Sequence, residues 1–125
     1  KHSMSSYKLL QITLSDADVS MINEKGHDSV PKQRARLNMN FSEDIGKVAA
    51  DALAAGYYDH VANIIANDLE DVFHIGNMGP EANILRLKEM HSVSVGDIVE
   101  DINSGIKHVV ADTGFKKVDQ LMFVS

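Results

Sequence analysis

The chain has 125 residues, of which 44% are hydrophobic and 24% charged, and its formal net charge is −6. This length predicts a single domain, and the absence of cysteine excludes disulfides and thiolate chemistry and fits a reducing compartment, so we expect a cytoplasmic protein. The acidic balance disfavours nucleic-acid binding, which needs clustered Lys and Arg, and no apolar run is long enough to span a membrane.

The first two elements are predicted to be a strand and a short helix. Apolar and polar side chains alternate over Tyr7–Leu14, which is typical of a strand. Ser15 and Asp18 have the spacing of a capping box, and Gly26 is placed to end the helix that they begin. The side chains that we expect this helix to bury are Val19 and Ile22.

The next pair of elements is also predicted to be a strand and a helix. After a loop around Pro31, the segment Ala35–Phe41 alternates strictly and predicts a strand with one wet and one dry face. Ser42 is expected to cap the helix that follows, and Gly56 to end it. The apolar residues at helical spacing are Ile45, Val48, Ala49, Ala52 and Leu53. We expect this helix and strand to pack on each other.

The second half of the chain is predicted to contain short helices and a hairpin. Tyr57–Ala66 is rich in Tyr, Val and Ile and favours a strand. A helix of one to two turns, capped at Asp68, is expected to end near Gly76, and Pro80 is placed to open another with Ile84 and Leu87 turned inward. Two β-prone runs around an Asn-Ser-Gly break, within residues 98–111, predict a hairpin, and residues 121–124 predict a last strand.

This order of elements favours an α+β fold. We expect a mainly antiparallel sheet with helices on one face and a β-rich C-terminal hairpin. A parallel arrangement of the first three strands is the alternative that the sequence leaves open. Lys1–Met4 looks like the remnant of a purification tag, so residues 5–125 form the predicted domain.

One compact polar motif contains the residue types of a catalytic site, namely the run His91-Ser92-Val93-Ser94-Val95-Gly96-Asp97. A Ser-His-Asp relay needs its three side chains to converge. In an extended segment Ser92 and Ser94 share one face and His91 lies on the other, so we predict that the motif satisfies backbone groups at a turn entering the hairpin. The alternative is a small-molecule binder or hydrolase that uses His91, Ser94 and Asp97.

Other candidate residues point to binding rather than to cofactor chemistry. The histidines at 60, 74, 91 and 108 lack zinc-motif spacing, so we expect no metal and no cofactor. Tyr57 and Tyr58 are candidate anchors for a protein partner, since exposed aromatic side chains dominate interface energies. The alternative, which the sequence favours at least equally, is that one ring packs in the core and the other lies at a solvent-exposed edge.

Residues from about 69 to 118 resemble the YodL-like domain, which carries a run like HSLSVSD followed by a hydrophobic hairpin and a Gly-Phe pair. The matching residues are 91–97 and Gly114-Phe115, and Leu69–Phe73 with Asn77 match the short helix and Asn of that family. Gly96 stands where the family run has its third Ser. The N-terminal half, with Met21–His27, looks like small proteins of tailed phages, including those of marine cyanobacteria.

The resemblance implies a phage or mobile-element context, often beside anti-defence genes. We therefore expect a small accessory protein that binds a host or viral macromolecule, in host takeover or anti-defence, and a non-enzymatic role is favoured over catalysis. The residues predicted to contribute to binding are His91, Ser92, Ser94, Asp97, Gly114, Phe115, Tyr57 and Tyr58. Residues 121–124 are apolar on both faces, so they are expected to insert into the sheet or, as we favour, to pair with a second copy in a homodimer.

Overall fold

The computed structural model of the protein describes residues 4–26, 29–41, 43–112 and 114–118. The strands are β1 (Ser5–Ile12), β2 (Tyr58–Ala66), β3 (Ile84–Arg86), β4 (Ile98–Asp101), β5 (Lys107–Ala111) and β6 (Gly114–Lys117). The helices are α1 (Asp16–Lys25), α2 (Pro31–Phe41), α3 (Ile45–Ala54) and α4 (Leu69–Met78), and a short 3₁₀ helix covers Glu81–Asn83.

All six described strands join one antiparallel sheet in the order β3-β2-β1-β4-β5-β6. The predicted α+β class and antiparallel sheet are therefore confirmed, and the parallel alternative for the first strands is wrong. The β4–β5 hairpin forms as expected, with Ile98 opposite Val109. Strand β1 lies between β2 and β4, so its side chains reach the core on both sides of the sheet.

The helices, expected on one face, divide between the two faces. On the first, which we call the α4 face, α4 packs over side chains that include Leu9, Ile64 and Val99. On the second, the α3 face, α2 and α3 cover Leu10 and Ile98 among others. The cause is visible in the strands, because adjacent pairs such as Ile98-Val99 place one apolar side chain on each face.

The largest departure from the sequence analysis is Ala35–Phe41, which forms the C-terminal part of α2 and not a strand. Pro31, expected in a loop, occupies the first helical position, where its missing N–H costs no hydrogen bond. Lys, Gln, Arg, Leu and Met are good helix formers, and Ala35 and Met39 also have the i, i+4 spacing of one helical face. Both side chains pack in the core on the α3 face, so propensity and burial agree on a helix.

Several boundaries also differ from those expected. The cap of α3 is Asp44, whose side chain accepts a hydrogen bond from the Lys47 N–H, and Ser42 lies outside the described residues. The Ser15–Asp18 capping box and the end of α1 at Gly26 are confirmed, but α1 has no buried residue, so the burial expected for Val19 and Ile22 is wrong.

The second half follows the predicted order more closely. The strand at 57–66 and the Asp68 cap are confirmed, but α4 continues past Gly76 to Met78. The segment after Pro80 makes one 3₁₀ turn and then β3, and Leu87, expected to point inward, is exposed. The strand predicted at residues 121–124 lies outside the described residues. No helix in the described ranges is both long enough and apolar enough to cross a membrane.

Gly76 permits the close packing of α4 against the segment that precedes β4. A Cβ atom at this position would overlap the Cγ2 methyl group of Val93, which is buried in the core of the α4 face. Glycine inside a helix is otherwise unfavourable, so the residue is explained by this contact.

We predict that Gly76→Ala lowers the free energy of unfolding by about 1–3 kcal/mol, because the new methyl group overpacks the interface. Helix propensity alone would favour alanine by about 1 kcal/mol. Urea unfolding of the wild type, Gly76→Ala, Val93→Ala and the double variant measures the coupling. In the Val93→Ala background the glycine substitution should become neutral or stabilising. An equal loss in both backgrounds would show that the contact with Val93 is not the cause.

Candidate functional site

A buried glutamine fastens the connection between β3 and β4 to the centre of the sheet. Gln11 is 0% exposed on the α4 face of β1. Its Nε2 donates to the backbone oxygen of His91 at 2.9 Å and to Oδ2 of Asp97 at 3.0 Å. Its Oε1 accepts from the backbone N–H of His91 at 3.2 Å. We call Gln11, His91 and Asp97 the Asp97 cluster.

Asp97 is a buried carboxylate that closes a turn. Its Oδ2 also accepts from the Ser94 N–H at 2.9 Å, and its own N–H donates to the Ser94 oxygen at 3.0 Å. The predicted role of Asp97 in satisfying backbone groups before the hairpin is thereby confirmed. Burial raises the pKa of Asp97 to about 6, although the Ser94 and Gln11 hydrogen bonds and the charges of His91 and Arg36 oppose the rise.

The three side chains of the His-Ser-Asp motif do not form a relay. The two N–H donors of the Gln11 amide are taken by His91 O and Asp97 Oδ2. Nδ1 of His91 lies 2.8 Å from the Ser92 backbone oxygen and 3.2 Å from Nε2 of Gln11, so the ring is oriented by these two groups and not by the Asp97 carboxylate. The Ser94 hydroxyl makes no hydrogen bond within the described part of the chain, and Ser92 and Ser94 are both exposed.

Tyr58 ties β2 to the same turn from the α3 face. Its hydroxyl donates to the backbone oxygen of Gly96 at 2.5 Å and lies 3.5 Å from Sδ of Met39. Burial raises the pKa of Tyr58 above its usual value, and the nearby charge of Asp97 adds to the rise. The Tyr58 hydroxyl is therefore used inside the fold, while Tyr57 is half-buried against the core of the α3 face.

The Gly-Phe pair lies on the edge strand β6, one strand removed from Asp97, whose backbone oxygen accepts a hydrogen bond from the N–H of Val110 on β5. Gly114 begins β6 with φ of +108°, a backbone conformation that side chains disfavour. Phe115 sits opposite Val110 and packs against the core on the α4 face. The eight predicted binding residues are thus spread over several places, and the structure brings together only those near Asp97.

A cleft of about 530 Å³ opens beside His91. Its walls come from the β1–α1 turn, from Arg36 on α2 and from residues 88–91. The charged residues that line it are Asp16, Arg36, Lys88 and Glu89, so positive and negative groups are equal in number. Lys88 also lies 3.5 Å from Asp59, whose pKa is lowered by a hydrogen bond from Thr13 and by that lysine. This volume suits a small molecule.

Half of the α3 face is covered by no described helix. The core cluster under α2 and α3 contains Leu10 and Ile12 from the C-terminal half of β1. Towards the other end of β1 the same face carries Ser6 and Lys8, which are opposite Ile65 and Asn63 of β2. These positions alternate with the side chains on the α4 face, so they point away from α4.

This uncovered half carries exposed apolar side chains from three segments. Leu85 of β3 is opposite Asn63 and 61% exposed, and Ile65 is 46% exposed. Ile102 follows β4, its N–H donates to the Ser6 oxygen, and it is 42% exposed. We call Ile65, Leu85 and Ile102, with Ser6, Lys8 and Asn63 among them, the open sheet patch. Exposed apolar residues grouped in this way are typical of interaction sites.

Neither the burial of Gln11 nor the open sheet patch was predicted from the sequence. The sequence shows Gln11 only as one of the polar residues that alternate with apolar ones in the first strand, although a single amide inside the run Leu9-Leu10-Gln11-Ile12 is the signal of a buried polar group. The patch has no local signal, because its residues meet only through strand register.

No group of three His, Cys, Asp or Glu residues within the described ranges is arranged to hold a metal ion. His60 is hydrogen-bonded to Asn63 at 2.7 Å, and burial beside Lys117 lowers the pKa of His108. Comparison of the chain with protein-family models, with curated proteins and with solved structures finds no match.

We predict that Asp97→Asn changes how stability depends on pH. A carboxyl group whose pKa is raised in the folded state stabilises the fold below its unfolded pKa, near 4, and loses this contribution as the pH rises through about 6. The loss is on the order of 2–3 kcal/mol. An amide does not titrate, and its oxygen accepts the same two hydrogen bonds. In urea unfolding from pH 4.5 to 7.5, the free energy of unfolding of the variant should increase relative to that of the wild type as the pH rises.

Asp59→Asn is the matched control for this experiment. The pKa of Asp59 is lowered, so its contribution to stability is present throughout this pH range and is lost only at lower pH, as the pH falls through its folded pKa. The difference between this variant and the wild type should therefore stay constant from pH 4.5 to 7.5. A constant difference for Asp97→Asn as well would contradict the buried state of its carboxylate.

Proposed function

We propose that the protein acts by binding another protein through the open sheet patch. The supporting observation is the exposure of Ile65, Leu85 and Ile102 together on a sheet face whose other half is packed by helices. The resemblance of residues 69–118 to the YodL-like domain supports a phage or mobile-element accessory protein, whose partner is a host or viral protein in host takeover or anti-defence.

The chemistry of the patch favours a protein over other partners. Its centre carries one cation, Lys8, which makes no ion pair or hydrogen bond to any other described residue through its side chain. A single lysine among aliphatic side chains is unlike a phosphate-binding surface, which needs several cations. The net charge of −6 disfavours nucleic acid further. Apolar contact around one charge is the composition of a protein interface.

We predict that Leu85→Glu abolishes partner capture. The protein would be immobilised and exposed to lysate of cells that naturally encode it. The wild type should retain a partner that Leu85→Glu retains at least about tenfold less, equivalent to about 1.4 kcal/mol. Phe73→Glu is the control, because Phe73 is a similarly exposed apolar residue on α4, on the opposite side of the sheet.

As a control, circular dichroism and urea unfolding are used to check that each variant is folded. A partner lost equally from Leu85→Glu and Phe73→Glu, or retained by both, would contradict the assignment to the open sheet patch.

The cleft beside His91 supports a second candidate function, the binding of a small molecule. Its volume and its charged lining favour a polar ligand, whereas hydrolysis by His91, Ser94 and Asp97 gains no support from their separate hydrogen bonds. Under this candidate, mass spectrometry of the denatured wild type should reveal a released compound that is missing from His91→Ala. His74→Ala, an exposed histidine on α4, should retain it. A wild type that releases no compound counts against the cleft.

A further inference from the structure

We infer that the occupant of the open sheet patch is an amphipathic helix of the partner protein, with an acidic residue that meets Lys8. This inference rests on the proposed function and specifies the kind of segment that binds. It follows from three features of the described residues: the layer in which the patch lies, the shape of the nearby sheet edge, and the charge at its centre.

The first feature is the helical layer on the α3 face. Helix α3 lies against β5 and β6 and shares its core with Leu10, Ile98 and Val109. The open sheet patch continues the same face across β1, β2 and β3. Three strands at about 4.8 Å spacing are roughly as wide as one helix with its side chains, about 10–12 Å. A helix placed there would extend the existing layer in the way that α+β sheets are covered.

The second feature is the poor suitability of the neighbouring edge for strand addition. The edge strand β3 has three residues, which offers an incoming strand few backbone hydrogen bonds. Arg86 on this strand is also held by Glu81, with distances of 2.6 and 2.9 Å between their charged groups. The exposed apolar side chains project from the face of the sheet, where a helix packs, and not from its edge.

The third feature is the charge at the centre of the patch. Lys8 shares its row with Glu100 of β4, but Glu100 forms an ion pair with Lys107 at 3.8 Å. A partly desolvated lysine needs an opposite charge, so the chemistry selects an occupant with Asp or Glu beside its apolar stripe. If the patch paired with the same patch on a second copy, Lys8 would lie near Lys8 of that copy. The residues of the patch include no Asp or Glu that could neutralise the two lysines.

The test places a photo-crosslinking amino acid at position 65, 85 or 102 of the full chain, one at a time, in cells that encode the protein. Mass spectrometry then maps the crosslinked residues. The inference expects all three positions to reach one segment of one partner protein, with crosslinked residues three, four or seven apart, which is the spacing of a helical face.

Other crosslinking patterns overturn the inference and separate it from the proposed function. Partner residues two apart, or spread over distant segments, would show a strand or an irregular surface and leave protein binding at this patch intact. Crosslinks to this chain itself, within one copy or between two, would overturn both the inferred helical occupant and the proposed binding of another protein. The absence of any crosslink from all three positions would do the same.

Charge exchange tests the role of Lys8 independently. Lys8→Glu should lower partner capture at least about tenfold, equivalent to about 1.4 kcal/mol. Lys25→Glu makes the same change of charge at an exposed position on α1 and should leave capture unaltered. Replacing an acidic residue in the crosslinked segment with lysine should restore binding to Lys8→Glu. Equal losses for Lys8→Glu and Lys25→Glu would show that only overall charge matters and would overturn the proposed contact.

Discussion

The structure depends on satisfying one buried amide at the centre of the sheet. Gln11 lies on β1 among apolar neighbours, where an unpaired amide would cost about 1–3 kcal/mol. Its partners come from His91 and Asp97, eighty or more residues away along the chain. The irregular connection from β3 to β4 is therefore held to the central strand by hydrogen bonds as well as by the packing of Val93 against α4. Strand β4 can then pair with β1 in the correct register.

This constraint also explains why a motif with His, Ser and Asp is not arranged for catalysis here. A relay requires the carboxylate to orient the imidazole. In this fold the Asp97 carboxylate orients Gln11 and the Ser94 backbone, and the ring of His91 is oriented by the Ser92 carbonyl. The carboxylate is used by the fold, so its raised pKa reflects burial in a structural site. Perturbed acids arise at both structural and catalytic sites, and their hydrogen-bond partners distinguish the two.

Much of the fold could be predicted from local signals. The capping box at Ser15 and the Asp68 cap are short-range hydrogen-bond patterns, and both form as expected. The segment Ala35–Phe41 was predicted wrongly because its alternation fits a strand while its residue types and its Ala35–Met39 spacing fit a helix, and burial of Met39 decided the outcome. The partners of Gln11 could not be predicted, because they depend on the path of a connection without regular structure.

Lys8 and Gln11 lie on the same strand but belong to different sides of the sheet. They are three residues apart in β1, so their side chains lie on opposite faces of the sheet. Gln11 serves the buried connection on the α4 face, and Lys8 lies in the open sheet patch on the other. Leu85 contributes little to the core because most of its surface faces solvent, and Ile65 and Ile102 are also exposed. The packing of the core therefore does not account for their apolar character, whereas burial of the Gln11 amide accounts for the hydrogen bonds of the Asp97 cluster.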